Sequence, residues 1–564
     1  MIMTSRHHKY IDMKHRWLLI VMWIAVAASL LLFIAGSFRG TIFLQDEGYQ
    51  ALNCLYYSDS PIAMLSFYMG HLAVSLFGNE LIVLRLLTRL CYIVAIGLPL
   101  IYYYRRTGNA FMTLGTAAFL MVYLSYSFYF KFYGWDVGAY PFMSALLVCL
   151  MTYIDHPTRV KALIAGALCA ALTLARIPAI VAFPVMLLTI CLAWPRGERR
   201  RSLPDILWAV AAFAVASVAL ILLMKGSISA YIDSWKPENI ITGHDTGIDN
   251  LRRLMRWTCD DLEQFKRVPF FYFTILSITA LALVYRRMWG RTGWWFAIGL
   301  SVSFLIVMIF QWHGAVAIGL YLLPLVLFAM IWVISHYAHG LGKRDALRVL
   351  LVIAFSLIAV VGSDRILQRF GFFYCIPLLM SIVYRYRQPI FSRVVALIML
   401  FTIFPRGVYE CYNFVAGYRD GQMIHEELPH HKLLYDSPEE WQSLSGEAPV
   451  VDQLRRDGIR YAFFGNAHYV YEYIYNSENP AHLQWFHYYD PEEIACWVKA
   501  YTSELDAVFL RNEDLQFLSF ESTDSLFRAN GFVPVKVLRE NTLYEPKSMV
   551  DSAEIAKFEQ ICEP

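Results

Sequence analysis

The chain has 564 residues, of which 58% are hydrophobic and only 16% charged, with a mean hydropathy of +0.45. That is more apolar side chain than a soluble protein of this length needs, so the composition excludes an ordinary soluble domain and indicates a polytopic helical membrane protein. The net charge of +3 is spread over short connections with no long basic tract, and no nucleic-acid partner is expected. Ten cysteines are scattered, several inside apolar runs (Cys91, Cys149, Cys169, Cys191), with neither CxxC pairs nor metal-ligand spacing. They read as small buried hydrophobes.

In chain order, a basic segment from Met1 to Arg16 precedes the apolar run Trp17–Ala35. The run is nearer a spanning length than a signal-peptide core and no A-x-A cleavage site follows, so it is read as an uncleaved first span. About thirteen apolar segments of spanning or near-spanning length are expected, centred on 17–37, 81–104, 110–130, 138–154, 161–177, 178–194, 205–224, 270–285, 294–311, 315–337, 346–362, 371–384 and 391–410. Every second connection is basic: Arg105-Arg106, Arg159/Lys161, Arg196 with Arg199–Arg201, Arg286-Arg287/Arg291, Lys343-Arg344/Arg348 and Arg385/Arg387/Arg393. The intervening connections carry few Lys or Arg, which orients the N-terminus to the cytoplasm in a bacterial inner membrane. Residues 1–410 are then a transmembrane domain with large outer loops at 38–80 and 226–268. Residues 411–564 form a soluble extracytoplasmic C-terminal domain. Within it Val450–Gly458 reads as helix, and Tyr461–Gly465, Leu505–Leu510 and Phe532–Leu538 read as strands. The expected fold class is an all-α polytopic membrane protein with a small α/β extracytoplasmic C-terminal domain.

The residues that carry chemistry gather at the outer ends of these spans. Asp46 and Glu47 lie side by side shortly after the first span. Paired carboxylates near a bilayer are expensive to desolvate, and one of them could serve as general base toward an incoming hydroxyl. The plainer reading makes Asp46 the N-cap of a helix running from Glu47 toward Tyr57. Lys131 and Asp136 flank an aromatic turn, Lys131-Phe132-Tyr133-Gly134-Trp135-Asp136, suited to a lipid head group or, more plainly, to a snorkelling lysine in an aromatic belt. Arg85 and Arg89 share a helix face, as do Arg365 and Arg369, and Arg176 sits between the fifth and sixth spans. Arginine is disfavoured on the outer side, and guanidinium groups match phosphate geometry; structural ion pairs are the competing explanation. His313, Tyr321 and Pro324 complete the outer set, whereas His430 and His431 read as a solvated pair.

The Asp46-Glu47 pair in the first outer loop, Pro61 and Leu76-Phe77-Gly78 after it, and Arg85 entering the second span resemble the GT-C superfamily of membrane glycosyltransferases. The likeness is to bacterial relatives of the protein O-mannosyltransferases and of the lipid A aminoarabinose transferases, and the Lys131–Asp136 turn, Tyr321-Leu-Leu-Pro324 and an outward C-terminal domain extend it. The resemblance implies transfer of a sugar from a polyprenyl-phosphate donor to an acceptor glycan, lipid or protein, with inversion. It implies Asp46 as base with Glu47 as alternative or orienting group. Arg85, Lys131, Arg365 and Arg369 would hold the donor phosphate, while Asp136, His313, Tyr321 and Arg176 would meet sugar or acceptor. No metal ligand set has recognisable spacing, and a divalent cation is left open.

A transporter or flippase of lipid-linked glycans is the alternative from another class. It would carry ionisable groups in mid-span on broken helices of two related halves. Here the mid-span positions are almost free of charge and no paired halves are visible. An O-antigen ligase or polymerase would have a long late outer loop and no sizeable C-terminal domain, and an envelope scaffold would leave the outer arginines unexplained.

Overall fold

A computed structural model of the chain describes residues 16–40, 42, 44–57, 63–126, 132–226, 228–233, 342–359, 375, 377–378, 381, 422–423, 428–436, 438–465, 468–478, 491–512 and 519–550. Up to residue 359 the described residues are mostly helical. The helices there are α1 (Arg16–Ala35), α2 (Leu44–Leu55), α3 (Met64–Phe77), α4 (Leu81–Thr107), α5 (Ala110–Tyr126), α6 (Trp135–Asp155), α7 (Arg159–Ala175), α8 (Ala182–Ala193), α9 (Ser202–Leu223), α10 (Ile228–Asp233) and α11 (Lys343–Ile358). Among the described residues four stretches are long and apolar enough to cross a membrane: Leu19–Phe38, Leu81–Thr107, Trp135–Asp155 and Gly197–Leu223. The expected segments at 270–285, 294–311, 315–337 and 391–410 lie outside the described residues, as does most of 371–384.

Local chemistry explains the helix limits. α4 runs until Gly108, whose φ of +67° lets its N–H close on the Tyr104 carbonyl at 2.8 Å. The Thr158 hydroxyl caps the start of α7 by accepting from the Lys161 amide. Inside the bundle α7 lies against α9 so closely that a Cβ on Gly166 would stand 2.1 Å from the Ala209 carbonyl oxygen. Small residues permit this approach where apolar solvent offers no hydrophobic driving force. α1 packs on α5, and α6 sits between α4 and α7.

The first loop holds two helices, and α2 starts at Leu44. Asp46 therefore stands inside the first turn of α2, not at its N-cap, which corrects the capping expectation.

The C-terminal part contains β1 (Gln422–Met423), β2 (Tyr435–Asp436), α12 (Pro438–Ser445), α13 (Ala448–Arg456), β3 (Tyr461–Phe464), α14 (His468–Tyr475), α15 (Pro491–Glu504), β4 (Ala507–Arg511), α16 (Phe520–Ala529), β5 (Phe532–Val537) and β6 (Asn541–Pro546). The four-stranded sheet has the order β3-β4-β6-β5, parallel between β3 and β4 and antiparallel elsewhere. Its period-2 alternation separates two cores. Ala462, Phe464, Val508 and Leu510 pack with Tyr501, Phe527 and Phe532. Tyr461, Phe463 and Phe509 face the other way and join Tyr471, Tyr475 and the core of the helical bundle. Phe463 stacks on Phe509 at 4.5 Å and on Tyr471 at 4.9 Å. The helix and three strands read from the sequence are present; β6 was not among them.

Candidate active site

One end of the bundle concentrates buried charge. Arg85, one turn into α4, and Glu47, early in α2, are 1% and 2% exposed. They form a bidentate pair, Nε to Oε1 at 2.7 Å and Nη2 to Oε2 at 2.8 Å. Two parallel charge-assisted bonds are the arrangement in which a carboxylate tolerates such burial. The remaining guanidinium nitrogen, Nη1, donates to the carbonyls of Gly40 at 2.8 Å and Arg39 at 3.2 Å. Gly40 takes a φ of +91°, a conformation that favours glycine. A turn later Arg89 donates from Nε to the Ser37 hydroxyl at 3.0 Å and lies 4.2 Å over the Phe33 ring. Arg85 and Arg89, on one face of α4, thus organise the chain leaving α1.

A second ion pair adjoins the first. Asp136, in the first turn of α6, meets Arg176 at the end of α7 with Oδ1 to Nε at 2.5 Å. Both ends are tied to the first loop. The Gln50 side chain, in α2, accepts from the Trp135 amide at 3.3 Å. The Ser66 hydroxyl, in α3, lies 3.0 Å from the Trp135 carbonyl and 2.9 Å from that of Ala175, and the Tyr133 hydroxyl donates to the Ser66 carbonyl at 2.7 Å. Of the residues singled out in the sequence, the fold thereby assembles Glu47, Arg85, Asp136 and Arg176 into one polar layer, with Asp46 in the same helix as Glu47. Lys131, His313, Tyr321, Arg365 and Arg369 lie outside the described residues.

The C-terminal part seals this layer, and here the structure corrects the sequence reading of His430 and His431 as a solvated pair. His431 is fully buried. Its Nε2 accepts from the Ile42 amide at 3.2 Å while its Nδ1 lies 2.7 Å from the Pro429 carbonyl, which assigns the proton to Nδ1. Burial pushes the imidazole down to about 4, and the neighbouring Arg85 and His430 push the same way. His430 places Nδ1 2.7 Å from the Asn79 carbonyl, and its own carbonyl accepts from the Leu81 amide at 3.0 Å. Gly48, in α2, lies against the Tyr469 backbone, where a Cβ would stand 2.8 Å from the carbonyl oxygen.

The opposite end of the same helices holds a charge cluster that sequence reasoning did not single out. Asp155, ending α6, bonds Arg106 of α4 at 2.9 Å and Arg348 of α11, and Arg348 also bonds Asp345. Arg106 and Arg348 had been visible only as basic connections. A carboxylate at 155, one helix length from Asp136, was the available signal. Among the described residues no group of three or more His, Cys, Asp or Glu side chains is placed to hold a metal ion.

No known protein-family profile matches the chain, and no curated protein matches it. Solved structures similar to it include two of one protein. ArnT from Cupriavidus metallidurans bound to undecaprenyl phosphate has a TM-score of 0.44 and 11% identity, covering 94% of this chain and 98% of that one. The same protein in the apo state gives 0.41 and 11%, covering 94% and 97%.

Proposed function

We propose that the chain is an integral membrane glycosyltransferase of the GT-C type, about thirteen spans in a bacterial inner membrane. In this reading residues 1–410 form the membrane domain, the N-terminus is cytoplasmic and residues 411–564 are periplasmic. It transfers a sugar from a polyprenyl-phosphate donor to an acceptor glycan, lipid or protein on the outer side, with inversion. The observation that carries the reading is the buried Glu47–Arg85 pair, which anchors α2 on α4 with a second carboxylate directly beside it.

Asp46 acts as general base in this scheme. The acceptor hydroxyl loses its proton to the Asp46 carboxylate as its oxygen attacks the anomeric carbon, and the carbon–oxygen bond to phosphate breaks with the electron pair leaving on polyprenyl phosphate. Fixed cations stabilise the charge that develops on that phosphate. Glu47 is committed to Arg85, which makes it the orienting group. Arg85 already donates to Glu47 and to backbone carbonyls, so its part shifts from direct phosphate contact to holding α2. Lys131, Arg365 and Arg369 then hold the phosphate. Asp136 and Arg176, with His313 and Tyr321, contact sugar or acceptor.

The test compares wild type with Asp46→Asn after addition of a lipid extract from the host, following polyprenyl-phosphate species by mass spectrometry. A polyprenyl-phosphate sugar consumed by wild type and retained by the folded variant is the expected result. If neither protein binds or consumes a polyprenyl species, the transferase reading fails.

A further inference from the structure

The segment His430–Tyr435 is fastened to both elements that carry the Glu47–Arg85 pair. Toward α2, the His431 imidazole accepts from the Ile42 amide and the Tyr435 carbonyl accepts from the Gly40 amide at 2.9 Å. Toward α4, the His430 carbonyl accepts from the Leu81 amide, and the Lys432 amide donates to the Glu80 carboxylate at 3.0 Å. Gly40 is also the residue whose carbonyl receives Arg85, so the strap and the ion pair hold the same residue from two sides. His430 and Leu433 have φ near +62° and +63°, in the left-handed region that non-glycine residues seldom occupy. Such backbone persists where its surroundings hold it in place.

We propose that His431, on a strap from the C-terminal part of the chain, is a positioning residue for the α2 carboxylates. The inference rests on the transferase reading above. A neutral imidazole suits this place for a definite reason. It donates to Pro429 and accepts from Ile42 at once, on opposite sides of one rigid ring, and adds no second cation beside Arg85. Ile42 lies two residues before α2 begins, so a shift of its amide moves the start of the helix that carries Asp46 and Glu47. The C-terminal part is in this view a structural member of the reaction site.

Two isosteric variants separate the ring's halves. His431→Asn retains a polar atom near the place of Nδ1 and can keep the Pro429 bond, but does not reach Ile42. His431→Gln reaches Ile42 and gives up Pro429. Full-length proteins in detergent are compared by hydrogen exchange in the peptide covering residues 38–44, and by consumption of polyprenyl-phosphate sugars from the host lipid extract. Asn is expected to speed exchange at the Ile42 amide at least tenfold and to lower the maximal rate at least tenfold, with the half-saturating lipid concentration within twofold of wild type. Gln is expected to restore both toward wild type. Equal exchange in the two variants, or rates that follow thermal stability alone without rescue by Gln, overturns the inference. Faster exchange in Asn than in Gln, with no lipid consumed by wild type, fails the transferase reading and leaves the strap's hold on α2 established.

Discussion

Truncating both partners of the Glu47–Arg85 pair should cost no more than truncating Arg85 alone. Arg85→Met leaves a carboxylate buried without a counter-charge and strips a donor from the Gly40 and Arg39 carbonyls. Breaking a buried pair in this way costs about 3–5 kcal/mol, and about 4 kcal/mol is expected here. Glu47→Met leaves the cation with its carbonyl acceptors, so about 3 kcal/mol is expected. In the double variant no charge is stranded and the main residual loss is that of the carbonyl bonds. Its cost should be about 4 kcal/mol instead of the additive 7 or so, a coupling of about 3 kcal/mol. The four proteins would be compared by denaturant-induced unfolding in one detergent. Additivity within about 0.5 kcal/mol would refute the view that this pair is a single unit anchoring α2.

Acidification should loosen the strap. The His431 imidazole titrates near 4 in the folded chain against 6.5 for a free histidine, so its contribution is complete above about pH 6.5 and falls away as pH drops from there to about 4. Two and a half pH units correspond to about 3 kcal/mol, and His431→Gln should flatten that slope in pH-dependent unfolding. Gly48→Ala should push α14 off α2 at a cost of about 1–3 kcal/mol, seen as faster proteolysis of the C-terminal part, because the obstructing Tyr469 atoms are backbone. Asp155→Asn removes the carboxylate that Arg106 and Arg348 share at the other end of the bundle and leaves Asp345 to face both. It should lower stability by about 2–4 kcal/mol while leaving polyprenyl consumption per folded molecule unchanged.

The sequence alone determined what depends on solvent preference. Long apolar runs must be helices in a medium that cannot satisfy free peptide groups, and the observed α1, α4, α6, α7 and α9 begin and end within a few residues of the expected limits. Short apolar runs marked β3, β4 and β5 for the same reason, and β3 and β4 bury both faces. The partners of the charges were not legible. Arg85 was visible as a costly outer arginine, but that it would clamp Glu47 depends on α2 folding back against α4. The fate of His431 depends on a contact 389 residues away in the chain. Burial, tautomer and ion pairing are properties of a site's surroundings, and for this site the surroundings come from the ends of four helices and a strap that meet only when the chain has folded.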